Sequence, residues 1–357
     1  MGGMDLEARV RRVVGSAVPG VVVLVVGPEG VRDRAAVGMA DLVARSPISG
    51  DVNMPWFSMT KIATATTALY LSERGGLDLD APVLPLVPAM RALRPAAFAE
   101  RISSRHLLQH GAGLANPIPV RWIHPAGEPG PDPDAFLQGL LSKHSKLRFE
   151  PGARSSYSNL GTLVLGAAIA GVTGTRVEAA VEDAVLGPVG MSSSGFTYPS
   201  DAPSATGYHP RRSPMRFLLP RWVVGASSGR WVGFRRFLLD GAAYGGLVGT
   251  PDDAARFLQM HLRNGEIGGA RVISAEGAAQ MRQITLRGKR FDLGLGWFVP
   301  SKQRDAQPSF VEHLGAGAGF FNAMRMYPSV GVGAVVMGNA TKYDIDAVAR
   351  LALEFAV

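Results

Sequence analysis

The chain has no cysteine among its 357 residues. That removes disulfides, thiolate nucleophiles and cysteine-based metal sites together, and it leaves the compartment open. Charge is also sparse: 18% of residues, with no long block of one sign, so extensive disorder is not expected. The basic excess is modest, 37 Lys and Arg against 29 Asp and Glu. No zinc-finger spacing, RNP-like motif or basic heptad helix accompanies it, and no nucleic-acid partner is expected. No His/Asp/Glu cluster has ligand spacing, so neither a metal nor a cofactor is implied. Long apolar runs are missing too. Val21 to Val26 is far too short to span a bilayer, and the N-terminus before Pro19 carries acidic residues and no apolar stretch of the secretory kind. A cytoplasmic location is the resulting expectation.

What is present is apolar. Hydrophobic residues make up 46% of the chain, ample for a core at the size where one core tends to divide into two lobes. Residues 21–27 and 31–40, joined by Pro28-Glu29-Gly30, read as a strand hairpin. Residues 58–74, rich in Ala, Thr and Leu, read as a helix stopped by Gly75-Gly76. Between Ala115 and Pro133, prolines at 117, 119, 125, 129, 131 and 133 forbid regular structure; a loop this long inside a compact domain is often a functional lid. Residues 159–170 read as a buried helix ending near Gly174, and 251–264 as another, capped by Thr250. Strands are expected at 294–299, 321–327 and 331–337, and an amphipathic helix over 344–355. There is no internal repeat. Strands at both ends with helices between predict an α+β, two-lobed fold: an antiparallel sheet built from N- and C-terminal strands and flanked by helices, with a mainly helical lobe inserted. The expected division is about 1–75 and 245–357 for the sheet-bearing lobe and about 76–244 for the helical one.

Three segments carry chemistry. In Phe57-Ser58-Met59-Thr60-Lys61, Ser58 opens a helix and Lys61 lies one turn on along the same face, so the amine can reach the hydroxyl. A serine hydroxyl needs a nearby base, and lysine serves only if its neutral form is accessible. Backbone N–H groups at a helix start can bind an oxyanion. Alone the spacing is weak, since about 0.4 such pairs arise by chance in this composition, and a solvated surface lysine is the bland reading. The apolar surroundings argue against full exposure. In Tyr157-Ser158-Asn159 the phenol can move a proton between serine, leaving group and water, and Asn159 can hold Lys61 and a substrate amide. The bland reading is a core tyrosine with a capping asparagine. In the run from His313 to Phe320, glycines at a strand edge let substrate approach the backbone closely. The bland reading is a flexible turn with a hydrogen-bonded His313.

Together and in this order, the segments resemble the serine beta-lactamase-like superfamily, above all its class C beta-lactamase, family VIII carboxylesterase and D-alanyl-D-alanine carboxypeptidase-like branch. Leu107-Leu108-Gln109-His110-Gly111-Ala112-Gly113-Leu114, Phe149-Glu150-Pro151-Gly152 before Tyr157-Ser158-Asn159, Leu186-Gly187-Pro188-Val189-Gly190-Met191, Gly245-Gly246-Leu247 with Thr250-Pro251-Asp252-Asp253, and Gly294-Leu295-Gly296-Trp297 extend the likeness from about residue 20 to 340. The resemblance implies an acylated Ser58, an acid/base pair of Lys61 and Tyr157, substrate contacts from Asn159, His313 and Gly315, and an oxyanion hole from the N–H groups of Ser58 and Ala316. One departure matters. Where beta-lactamases and many transpeptidases have Lys-Thr-Gly, this chain has His313-Leu314-Gly315. Losing that lysine and hydroxyl removes a grip on a substrate carboxylate and favours neutral acyl esters over beta-lactams or peptides.

Two other features compete. Gly225-Ala226-Ser227-Ser228-Gly229 fits the nucleophile elbow of alpha/beta-hydrolases, but a poor strand precedes it and no clear helix follows. Residues 209–239 mix Arg211, Arg212, Arg216, Arg221, Arg230, Arg235 and Arg236 with Phe217, Trp222, Trp231, Phe234 and Phe237. Such a segment can lie on an anionic membrane or line a cleft for a lipophilic substrate; an arm with its arginines snorkelling to water is the preferred reading. The expectation is therefore a serine hydrolase of short to medium acyl esters acting on a small-molecule ester, amide or lactam. The alternatives are a beta-lactamase or D-alanyl-D-alanine carboxypeptidase, or a ligand-sensing or membrane-surface protein without turnover.

Overall fold

The computed structural model describes residues 5–213 and 218–355. Its frame is an eight-stranded sheet: β1 (Gly20–Gly27), β2 (Gly30–Asp41), β3 (Ser46–Pro47), β4 (Phe291–Leu293), β5 (Phe298–Pro300), β6 (Val311–Gly317), β7 (Phe320–Tyr327) and β8 (Val332–Gly338). The spatial order is β4-β5-β6-β7-β8-β1-β2-β3, and every pairing is antiparallel. Strands from both ends of the chain thus meet at β1 and β8, with Val21 opposite Gly338 and Val26 opposite Gly333.

Four helices bear on the argument: α1 (Leu6–Val14), α2 (Thr60–Glu73), α3 (Asn159–Thr173) and α4 (Pro251–Leu262). Strand β1 reads as an unbroken apolar run because both faces of the sheet are covered there. Val21, Val23 and Val25 enter one core with Leu6, Val10 and Val14 of α1 and with Val348 and Ala349. Val22, Leu24 and Val26 enter the other, with Ile62 of α2 and Phe257 and Leu258 of α4. Each fully buried valine contributes roughly 1.5–3 kcal/mol.

Helix α2 is buried continuously from Thr60 to Leu69. Threonines tolerate that burial by returning their hydroxyls to the preceding turn: Thr66 donates to the Ile62 carbonyl at 2.8 Å and Thr67 to that of Ala63 at 3.0 Å. Gly75, at φ 73°, follows the end of the helix. Thr250 caps α4 by accepting the Asp253 N–H at 3.1 Å.

Three elements differ from expectation. Residues 294–299 are not one strand: β4 ends at Leu293 and β5 starts at Phe298, with Gly294-Leu295-Gly296-Trp297 as the turn between them. Gly296 holds φ 91°, which a side chain would strain. Ile123–Pro125 forms a short strand inside the proline-rich stretch, where no regular structure is expected. The C-terminal helix is α only over Ile345–Arg350 and tightens to a 3-10 turn over Leu351–Leu353. No single helix among the described residues is long and apolar enough to cross a membrane.

Candidate active site

Ser58 is the middle residue of a 3-10 turn, Phe57–Met59, that runs straight into α2. Phe57 sits at φ 48°, a region that bulky residues rarely occupy. Packing holds it there. Its ring lies 6.2 Å, centroid to centroid, from both Phe237 and Phe320. Strand β6 presses on the turn from the other side. A Cβ at Gly315 would lie 2.1 Å from the Trp56 carbonyl oxygen, and one at Gly317 would lie 2.0 Å from the Phe57 ring. The glycines at 315 and 317 are therefore what let this strand lie against the serine turn. Strand β5 pairs with β6 only at Phe298–Glu312, so the stretch of β6 carrying Ala316 has no strand beside it on that edge.

Lys61 is 4% exposed. Its Nζ donates to Ser58 Oγ at 3.1 Å, to Asn159 Oδ1 at 2.9 Å and to the Tyr244 carbonyl at 2.6 Å. All three partners are uncharged, and no carboxylate is among them. The amine also lies 5.0 Å from the Tyr157 ring centre and 5.4 Å from that of Tyr244. Burial holds its pKa well below the usual lysine value.

Tyr157 hydrogen-bonds the same Ser58 hydroxyl, and burial raises its pKa above the ordinary phenol value. Its position follows from the start of α3. The Ser158 hydroxyl accepts the Gly161 N–H at 3.0 Å and donates to the Ala115 carbonyl at 2.7 Å. This cap fixes Tyr157 on one side and Asn159 on the other. Behind the phenol, the His110 ring centre is 4.4 Å away and that of His313 is 6.2 Å away. His110 Nδ1 accepts the Ser158 N–H at 3.3 Å, and burial, with Lys61 nearby, pushes its pKa down to about 3. His313 is buried against Phe298, with Nδ1 2.9 Å from the Leu314 carbonyl, and burial lowers its pKa as well. Both imidazoles are thus held neutral.

Of the residues singled out from sequence, Ser58, Lys61, Tyr157 and Asn159 form one hydrogen-bonded group. Ala316 joins Ser58 on a shared cavity wall. His313 and Gly315 are buried and off that wall, one against Tyr157 and the other under Trp56. Ser227 stands apart. It lies exposed on Val224–Ser228, an edge strand of a three-stranded sheet, opposite Val232. A turn at Gly229 returns the chain to the next strand, Trp231–Phe234, so no helix follows and no nucleophile elbow exists. The Tyr244 carbonyl and the His110 support escaped sequence reasoning. A backbone acceptor has no residue signature, and His110 was visible only as part of a family pattern.

Ser58 opens onto a cavity of about 310 Å³. Phe57, Ile123, Leu219, Phe234, Phe237 and Leu239 supply much of its wall, and among the described residues no lysine, arginine or carboxylate lines it. Two of the segments noted above build it together. Ile123–Pro125, from the proline-rich stretch, pairs antiparallel with Phe237–Leu239 from the arginine-rich one, and His124 Nδ1 lies 2.7 Å from Asp240 Oδ1 beside the pairing. In the latter segment Arg211, Arg212, Arg221, Arg230, Arg235 and Arg236 are exposed while Trp231, Phe234 and Phe237 are buried. Arg216 and Phe217 lie outside the described residues.

With Ser58 hydrogen-bonded to the buried Lys61 and to Tyr157 on this sheet-and-helix frame, the chain belongs to a known class of protein. The beta-lactamase family matches residues 6–356, and the chain belongs to it, a family of serine hydrolases. Penicillin-binding protein 4 of Amycolatopsis lactamdurans is 28% identical over 330 residues, covering 84% of this chain and 76% of that protein. Esterase EstB of Burkholderia gladioli is 32% identical over 223 residues, covering 57% of this chain and 53% of its own length. The D-amino acid amidase of Ochrobactrum anthropi SV3, solved with L-phenylalanine amide, shares the fold with a TM-score of 0.79 at 21% identity, covering 98% of each chain.

Proposed function

We propose that this protein is a carboxylesterase that cleaves uncharged esters through an acyl-enzyme on Ser58. The observation that carries the reading is the buried Lys61 amine, which has only neutral partners and touches the Ser58 hydroxyl at 3.1 Å. Burial disfavours charge on both Lys61 and Tyr157 and so favours the neutral amine beside a neutral phenol. In that form two N–H groups serve Asn159 and the Tyr244 carbonyl, and the Nζ lone pair accepts from the Ser58 hydroxyl. The amine takes the Ser58 proton as Oγ attacks the ester carbonyl carbon. The carbonyl oxygen becomes an oxyanion between the N–H groups of Ser58 and Ala316. Collapse breaks the bond to the alcohol oxygen, which takes its proton from the Tyr157 hydroxyl, and Lys61 returns a proton to the phenol. Water then attacks the acyl-enzyme by the same path, releasing the carboxylic acid and Ser58. Asn159 holds Lys61 in place. Gly315 lets β6 approach the serine turn, and His313 supports Tyr157 from behind.

The uncharged wall favours esters over beta-lactams and D-alanyl peptides, whose carboxylates would enter a cavity that no cation among the described residues lines. The replacement of Lys-Thr-Gly by His313-Leu314-Gly315 points the same way. The test is p-nitrophenyl butyrate hydrolysis by the wild type, Ser58→Ala and Ser227→Ala, with the acyl adduct followed by intact mass. Activity and adduct should vanish only in Ser58→Ala. Loss only in Ser227→Ala would overturn the site, and turnover of a beta-lactam in preference to the ester would overturn the substrate class.

A further inference from the structure

Polar atoms are few on the cavity wall, and one of them is placed with unusual care. His209 lies in the short strand Tyr208–Pro210, opposite Val232, and is 8% exposed. Its backbone is anchored, because the neighbouring Tyr208 N–H is shared between the carbonyls of Gly319 and Asn339, each at 3.1 Å. Its Nδ1 lies 2.9 Å from Thr341 Oγ1, which also accepts the Gly319 N–H at 3.3 Å. The ring runs nearly parallel to Phe234, centroids 6.4 Å apart. The other ring nitrogen, Nε2, is buried and has no hydrogen-bond partner among the described residues. A buried imidazole with one nitrogen tethered and the other bare is a costly arrangement unless something else completes it.

We infer that His209 is a specificity-determining residue whose Nε2 pairs with one uncharged hydrogen-bonding group on an otherwise apolar acyl chain. The inference rests on the esterase reading above. His209, Thr341 and Ser58 share one cavity with Phe57, Phe234 and Phe237. The occupant is the acyl half because Tyr157, which protonates the leaving alcohol, is not on that wall. The alcohol departs toward the phenol, and the group left on Ser58 stays in the cavity. The required group is uncharged because no ionised side chain among the described residues lines the cavity to balance it, and burial lowers the pKa of His209, favouring the neutral imidazole. A substrate lacking the group leaves Nε2 unpaired, the situation in which polar pockets discriminate most strongly.

The test compares p-nitrophenyl hexanoate and octanoate with the same esters bearing a terminal carboxamide, which both donates and accepts and so serves either tautomer. In wild type against His209→Phe, the carboxamide-to-alkyl ratio of kcat/KM should fall about tenfold for at least one chain length. Because the substitution changes the cavity wall for both kinds of ester, the ratio alone is read, and His209→Gln should recover part of it. An unchanged ratio at both lengths, or an equal loss for both kinds of ester, overturns the inference. The same four esters are titrated calorimetrically against Ser58→Ala with and without His209→Phe. If the esterase reading fails because no ester is turned over, the affinity ratio still decides the role of His209. If Ser58→Ala itself turns esters over, the role of Ser58 falls, while the ratio between wild type and His209→Phe decides His209 independently.

Discussion

Among the described residues, Arg325 and Lys61 are both buried cationic side chains, and they are buried differently. Arg325 is 2% exposed and Lys61 is 4% exposed. Arg325 on β7 stands opposite Glu312 on β6, donates to its carboxylate at 2.6 and 2.9 Å, and reaches Asp346 at 2.7 Å. Burial opposes its charge most strongly of any one influence, but Glu312, Tyr327 and Asp346 together outweigh it and raise its pKa. Lys61 meets the same opposition with a serine hydroxyl, an amide oxygen and a backbone carbonyl, none of which carries charge. Burial therefore wins, and its pKa falls. The lesson is that a counter-charge decides what a buried cation is for. Paired, it is a fixed part of the sheet; without a counter-charge, it is suited to the role of base proposed for Lys61.

The comparison breaks most visibly through activity. Lys61→Met should cut kcat/KM for p-nitrophenyl butyrate by about 10²–10⁴, the usual span for a positioned proton acceptor. Its thermal unfolding temperature should hold or rise, because an uncompensated amine has left the core. A lower melting temperature with activity retained would make Lys61 structural, like Arg325. The mirror experiment is Arg325→Met, which strands Glu312 and should cost about 3–5 kcal/mol in denaturant unfolding while the folded fraction keeps its kcat/KM. Adding Glu312→Leu should restore most of that loss, since two apolar groups replace the pair.

Solution pH sharpens the contrast. A protonated Lys61 cannot accept the serine proton, so kcat/KM should fall as pH drops through its lowered pKa and should hold above it. Stability moves with the same group. Between that lowered value and the ordinary 10.5, the unfolded chain binds a proton that the folded one does not, so stability rises with pH across this window. Lys61→Met should flatten the rise, and Arg325→Met should leave it in place; both are read from denaturant midpoints across pH. The smallest effect expected is at the cavity rim. Asp240→Asn weakens its contact to His124 and should cost about 1 kcal/mol, seen as a modest rise in KM for hexanoate esters.

Much of the frame was legible because its signals are local. The apolar run of β1, the glycine after α2, the threonine cap of α4 and the one-turn spacing of Ser58 and Lys61 each depend on a few neighbouring residues. Glycine accounts for two places where the sequence is less legible. The turn at Gly294–Trp297 was merged into a strand because apolar content alone does not report the φ of Gly296. Strand β6 was read only as a glycine-rich edge because glycine lacks strand propensity; there it serves close packing against Trp56 and Phe57.

By itself, then, the sequence determined which residue types could do the chemistry and which short segments carry them, since periodicity, caps and spacing are properties of adjacent residues. The tertiary structure alone decided the rest. It brought the Tyr244 carbonyl, 183 positions along the chain, to 2.6 Å from Lys61. It folded the proline-rich and arginine-rich segments into one apolar wall and left His209 Nε2 with no partner among the described residues. A pKa, a cavity and an unpaired atom are set by what surrounds a group in space, and no window of sequence contains those surroundings.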